Sequence, residues 1–144
     1  MELQFKELTE EMMKPTYVVD INNLLPQLSP SAQPCTSEWL NHVFNSGTRL
    51  FAALDDDKIV GTVLLVPMVI LVGQKDWIED VIVDQDYQHR GIARQLMEMA
   101  ERASWERDAK SVNLTSNPHR GGARQLYTDR GYKLRDTGVF RLTF

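Results

Sequence analysis

The chain is most constrained by residues 76–107, where an apolar, β-branched run breaks into a polar loop, then a glycine, then a long helical repeat. Asp76-Trp77-Ile78-Glu79-Asp80-Val81-Ile82-Val83 carries apolar residues on both parities, the pattern of a strand buried on both faces, and reads as a central strand. After a polar stretch the chain reaches Gly91, where Ile92, Leu96, Ala100 and Ala103 recur at helical spacing. The helix therefore starts near Gly91 and runs to about Arg107. Its first N–H groups have no helical acceptor and sit at the positive dipole end, so with His89, Arg90 and Arg94 nearby they suit a phosphate or pyrophosphate. Gly91 and Ala93 are small enough for an anion to come close to the backbone.

The spacing Gln88-x-x-Gly91-x-Ala93 between that strand and helix resembles the acyl-CoA pyrophosphate loop of the GCN5-related N-acetyltransferases (GNAT). A second stretch, Asn117-Pro118-His119-Arg120-Gly121-Gly122-Ala123-Arg124-Gln125-Leu126-Tyr127-Thr128-Asp129-Arg130-Gly131-Tyr132, is also similar to that family and follows at the expected distance. The two together cover most of residues 76–136. The glycine-rich patterns of dinucleotide folds and P-loops are absent from the sequence.

At 144 residues and 42% hydrophobic content the chain has enough apolar side chains for one ordinary domain, expected to span residues 1–144. A formal net charge of −4 argues against broad nucleic-acid affinity, which needs Lys and Arg in excess. No apolar run reaches the ~18 residues that span a bilayer, and the N-terminus lacks the basic-then-apolar signal pattern, so a cytoplasmic location is expected. Cys35 is the single cysteine. His42, His89 and His119 have no metal-ligand spacing with it, and no metal site is read.

Taken in order, Leu3, Phe5 and Leu8 give a first strand, Thr9 caps a short helical start that Pro15 interrupts, and Tyr17, Val18, Ile21, Leu24, Leu25 and Leu28 resume helical spacing until the region of Pro26 to Pro34 ends it. The Pro- and Ser-rich residues 24–34 read as a loop. Ser37 caps a second helix with Trp39, Leu40, Val43 and Phe44 as its apolar face. Residues 49–54 and 59–66 are strands joined by Asp55-Asp56-Asp57-Lys58, a solvated hairpin turn rather than a metal site. The apolar residues 68–72 fit a strand extension, a lip on the acceptor pocket or a dimer contact equally well. Residues 111–115 form a strand, and Ala123, Leu126, Tyr127 and Arg130 give a helix that Gly131 ends with a left-handed cap. Residues 132–135 and 139–143 are expected to close the chain as a hairpin. The resulting order is an α/β fold with a mixed, mostly antiparallel sheet of about six to seven strands and about four helices, as in the family.

The resemblance implies an acetyl-CoA-dependent transferase moving an acetyl group from a thioester to a primary amine of a small molecule or peptide. A non-catalytic acyl-CoA sensor and a protein N-terminal or lysine acetyltransferase are the alternatives. In the family the strand before the loop splays from its neighbour and offers backbone groups to the pantetheine arm and thioester, here Val81, Ile82 and Val83. Gln88, His89, Arg90, Gly91, Ile92, Ala93 and Arg94 would hold the pyrophosphate, Asn117 the pantetheine arm, and Arg120 and Arg124 the adenosine side. Tyr127 matches the family's general acid toward the departing thiolate. Glu79 is chosen over Asp80 as base or amine ligand because it shares strand parity with Val81 and Val83. Ile78-Glu79-Asp80-Val81 resembles the matching strand of the glucosamine 6-phosphate N-acetyltransferases, which hints at a small polar amine. The acceptor side would be covered by the second helix, from Ser37 to the Asn45-Ser46-Gly47 stop, and its loop, and relatives that dimerise through sheet edges leave a homodimer open.

Overall fold

The computed structural model describes residues 2–117 and 121–144. They fall into two compact units, residues 1–114 and residues 115–144.

The first unit is a sheet of five strands in the order β1 (Leu3–Leu8), β2 (Arg49–Asp55), β3 (Lys58–Ile70), β4 (Gly73–Val83) and β5 (Val112–Asn113). The first four are antiparallel neighbours, and β5 joins β4 in parallel after the crossover helix α3 (Ile92–Glu106). A parallel return needs such a crossover, and the helical repeat after Gly91 supplies it. β2 and β3 are the strands most buried on both faces, whereas β4 is buried only at intervals. The density of apolar residues in β4 is therefore not matched by burial on both faces.

Helices α1 (Pro15–Leu28) and α2 (Ser37–Asn45) cover one face of the sheet, with Tyr17, Ile21, Leu24 and Leu40 packed on Leu50, Ala52, Leu54, Ile59 and Ile82. Pro15 opens α1 at its first position, where its missing N–H would be unbonded anyway, instead of interrupting a helix. The helix then continues through Pro26 to Leu28, so part of the expected loop is helical. An interior proline costs about 3 kcal/mol or more, and the buried stripe of Tyr17, Ile21 and Leu24 offsets it. Thr36, not Ser37, caps α2, accepting the Trp39 amide at 3.0 Å.

The opposite face takes α3 through Ile92, Leu96, Met97 and Ala100. Gly61 on β3 allows this approach: a Cβ there would lie 3.0 Å from Ile92 Cγ2, 3.3 Å from Leu96 Cδ1 and 3.4 Å from the Ile82 carbonyl oxygen. Gly61→Val is expected to destabilise the fold by about 2 kcal/mol through overpacking, read as a lower urea midpoint; an unchanged midpoint would show that α3 can shift freely.

The β2–β3 turn uses left-handed Asp56 and Asp57, φ 48° and 66°, the backbone of a tight hairpin. Its carboxylates turn to different partners, Asp55 accepting from Tyr87 Oη and Asp57 from Lys14 and Tyr17. The apolar residues 68–72 extend β3 and close a long hairpin into β4, leaving Val69 and Leu71 exposed.

The second unit is described by itself. Helix α4 (Gly121–Asp129) ends as expected: Gly131 sits at φ 93°, its amide donates to Thr128 O, and the Tyr132 amide donates to Tyr127 O, both at 3.0 Å. The expected hairpin of residues 132–143 is a correction: among the described residues this stretch contains no strand, so the sheet has five strands rather than six to seven. An alternating pattern becomes a strand only when a ladder partner takes its backbone groups, and Val139, Phe140, Leu142 and Phe144 remain exposed.

Candidate functional site

β4 is paired to β3 along its length, but to β5 only at Asp76 with Val112 and Trp77 with Asn113. From Ile78 to Val83 its second edge has no ladder partner among the described residues. The Asp84 amide donates to Val60 O at 2.9 Å. Successive strand amides point to opposite edges, so those of Val81 and Val83 face the open one. Asp76 anchors the paired end. Its amide donates to Ser111 O (3.0 Å), and its fully buried carboxylate accepts from Ser104 Oγ of α3 (2.8 Å) and Gln74 Nε2 (2.9 Å).

The chain leaves β4 through a single 3₁₀ turn, residues 85–87, capped by the Asp84 carboxylate on the Asp86 amide at 2.9 Å. His89 (φ 64°) and Gly91 (φ 76°) then turn the backbone into α3. Gly91 has nothing within 4 Å of the position a Cβ would take, so the space before the helix is open. The first helical bond runs from Gln95 N to Gly91 O (3.1 Å), which leaves the amides of Ile92, Ala93 and Arg94 with no carbonyl one turn earlier. Gln88 donates to Val83 O (3.4 Å), and Arg90 lies over the Tyr87 ring at 5.2 Å with a bond to Asp86 O (3.3 Å). His89, Arg90 and Arg94 are exposed, while Ile92 is buried under α3 and Ala93 half-buried. Val81, Ile82 and Val83 are thus brought against the loop and helix start carrying Gln88 to Arg94.

On its other side β4 is interrupted. Its register against β3 shifts between Thr62 and Leu64, so that three steps from Ile82 to Glu79 match two on β3. The extra residue is a β-bulge, with Asp80 left-handed at φ 49° and its carbonyl accepting from Thr62 Oγ1 at 3.0 Å. The alternation that would align Glu79 with Val81 and Val83 does not run through this point. Glu79 is exposed, whereas Asp80 lines a cavity of about 530 Å³ in the first unit. Its walls come from α1, the following loop, α2, and the bulged part of β3 and β4, including Leu24, Leu28, Cys35, Trp39, Leu64 and Ile82.

Burial pushes the Asp80 carboxyl above its ordinary range. Glu79 is raised too, first by burial and then by the charge of Asp80. The Cys35 thiol is pushed up by burial and, secondarily, by Asp80. Among the described residues the Asp80 carboxylate has no hydrogen-bond or ion-pair partner, so it is available to a ligand. The sequence reading chose Glu79 for its parity with Val81 and Val83, neither of which lines the cavity, and the bulge at Asp80 has no sequence mark beyond an acidic pair in an apolar strand. Among the described residues no group of acidic, His or Cys side chains could hold a metal, and no helix is long and apolar enough to cross a membrane.

In the second unit, Tyr127 lies on α4 with its ring edge-on to Tyr132, centroids 6.0 Å apart. Arg124 donates to Ser116 O at 3.2 Å, and Asn117 is exposed. Arg120 lies outside the described residues.

The model of the acetyltransferase (GNAT) family matches residues 7–132. No curated protein sequence matches the chain. Solved structures share its fold: an acetyltransferase of Trypanosoma brucei, 21% identical, aligns over 99% of this chain and 100% of that one with a TM-score of 0.81. An aminoglycoside acetyltransferase from an uncultured soil metagenomic sample, 20% identical, aligns over 99% and 96% with a TM-score of 0.83. A predicted acetyltransferase of Clostridium acetobutylicum, solved with acetyl-CoA, is 13% identical over 98% and 96%, with a TM-score of 0.76. From the first strand to the turn after α4, this chain belongs to the acetyltransferase (GNAT) family of N-acetyltransferases.

Proposed function

We propose that the protein transfers the acetyl group of acetyl-CoA directly to a primary amine seated beside Asp80. One observation supports this above the others: β4 carries an open edge and a bulged carboxylate within the same few residues, one side suited to a thioester and the other to an amine. The acetyl-CoA complex of a structural neighbour supports the donor, and the aminoglycoside acetyltransferase supports a small-molecule amine as acceptor.

The residues present fit the donor. Open-edge amides of Val81 and Val83 can bond the pantetheine arm and polarise a carbonyl. The free amides at the start of α3, with Gln88, His89, Arg90 and Arg94 around a left-handed Gly91, suit a pyrophosphate. By family pattern Asn117 takes the pantetheine arm, and Arg120 and Arg124 take the adenosine side. Bound acetyl-CoA would supply an activated acyl group whose C–S bond breaks as the C–N bond forms. Asp80 receives the ammonium and takes its proton directly or through a water, freeing the nitrogen lone pair for attack. By the family pattern Tyr127 gives a proton to the leaving thiolate, and the second proton, shed by the attacking nitrogen as the amide forms, restores the phenol through water; a phenol with an ordinary pKa of about 10 is protonated at neutral pH and close enough in acidity to donate.

Tyr127→Phe tests the reading. Turnover is expected to fall about 100-fold with coenzyme A affinity by calorimetry unchanged, as for loss of a general acid. A full rate in the variant removes Tyr127 from the chemistry. No heat and no thermal shift when wild-type protein meets saturating coenzyme A removes the function itself, and binding without turnover on any amine would leave an acyl-CoA sensor.

A further inference from the structure

We propose that the acceptor is a monocationic amine with an apolar aliphatic or aromatic body, its ammonium at Asp80 and its body among the side chains of α1, α2 and the loop between them. This rests on the acetyl-transfer reading above and names the substrate class of the same site.

The cavity's chemistry carries the inference. At about 530 Å³ it has the size of a pocket for a small molecule. Its walls are mostly aliphatic and aromatic, with Leu24, Leu28, Leu40, Leu64 and Trp39 among them, and Gln33 and Thr62 add two neutral polar side chains. Among the described residues Asp80 is the single carboxylate in the lining, and no lysine or arginine contributes to it. A polyhydroxylated amine would find Gln33 and Thr62 as its neutral polar partners and leave most of its hydroxyls facing aliphatic walls, desolvated without a partner. A polycation would bring two or more charges to one carboxylate, and the surplus would be buried unpaired. One ammonium on one carboxylate satisfies the charge, and an apolar remainder satisfies the walls. The exposed Trp39 also gains a partner, since more than half of its surface is open to solvent although it lines the cavity. A small polar amine, suggested by the short sequence likeness around Glu79, would leave these walls unused.

The test uses the full-length chain with two readouts. The first is acetyl transfer to propylamine, butylamine, pentylamine, hexylamine and 2-phenylethylamine, against glucosamine 6-phosphate, spermidine and an aminoglycoside. Each methylene that enters the cavity is expected to raise kcat/KM about fourfold. A flat alkyl series, or a sugar or polycation used more efficiently than hexylamine, overturns the proposal. The second readout needs no turnover. Cys35, the single cysteine, lines the cavity, so millimolar hexylamine should slow its alkylation by N-ethylmaleimide at least threefold, and spermidine should not. No protection by hexylamine overturns the proposal even where acetyl-CoA is turned over. Protection without transfer to any amine upholds the ligand class and fails the transfer reading instead. Leu64→Asp adds a second carboxylate to the lining: it should depress the hexylamine rate and narrow the gap to spermidine, with folding checked by circular dichroism. Loss of both rates in equal proportion counts against the proposal.

Discussion

Asp80→Asn is expected to lower acetyl transfer about 100-fold while coenzyme A affinity stays within twofold, because the variant keeps the shape of the bulge and loses the charge that receives the amine. Glu79→Gln, one residue away and exposed, should stay within about threefold of wild type by the same criterion. Initial rates on one amine and calorimetry with coenzyme A check both. Were Glu79→Gln to lose activity and Asp80→Asn to keep it, the bulge would be a structural feature only.

The pH dependence follows from the same carboxylate. Burial raises Asp80, so more of it is protonated at mildly acidic pH than for an exposed aspartate. Activity therefore falls as pH falls through the raised value, and this acid limb should vanish in Asp80→Asn. The stability sign is opposite. A carboxyl raised by folding favours the protonated native state, so stability is greatest below its unfolded pKa and declines as pH rises through the folded one. Asp80→Asn should then unfold at pH 7 no earlier than wild type, which separates loss of chemistry from loss of structure.

Asp76→Ala carries the largest expected cost to the fold, about 2–4 kcal/mol. The substitution removes a carboxylate that is fully buried and leaves Ser104 Oγ and Gln74 Nε2 without their acceptor. A urea midpoint measured with an unchanged m-value reads the loss. Combined with Ser104→Ala, the double variant should fall short of additivity by about 1–2 kcal/mol, since the two changes remove one shared bond. Additive losses, or a cost under about 0.5 kcal/mol for Asp76→Ala, would contradict the anchoring role. Function should suffer too, because Asp76 and its neighbour Trp77 are the two positions where β4 and β5 pair, immediately before the open edge begins.

The legible part of this protein lies in contiguous stretches. The run of residues 76–107 announced strand, loop and helix because each depends on local periodicity and one glycine, and α3 and the left-handed Gly91 stand where that spacing puts them. The Gly131 cap of α4 was readable for the same reason. Pro26 misled because a propensity counts only its own backbone cost, whereas the helix through it is held by Tyr17, Ile21 and Leu24 packing on residues more than twenty positions away. Residues 132–143 misled in the opposite direction, since alternation describes a strand's faces and says nothing of whether a ladder partner exists.

The sequence by itself determined the family, the glycine turn before α3 and the helix α3, all of which are properties of neighbouring residues. Only the tertiary structure decided that Asp80 rather than Glu79 lines the cavity, that Asp76 is buried against Ser104, and that α1 and α2 wall an apolar space. The physical reason is register: β4 carries one extra residue opposite β3, and which of its side chains meet α1 and α2 depends on the pairing of two strands and the packing of distant helices rather than on one strand's own alternation.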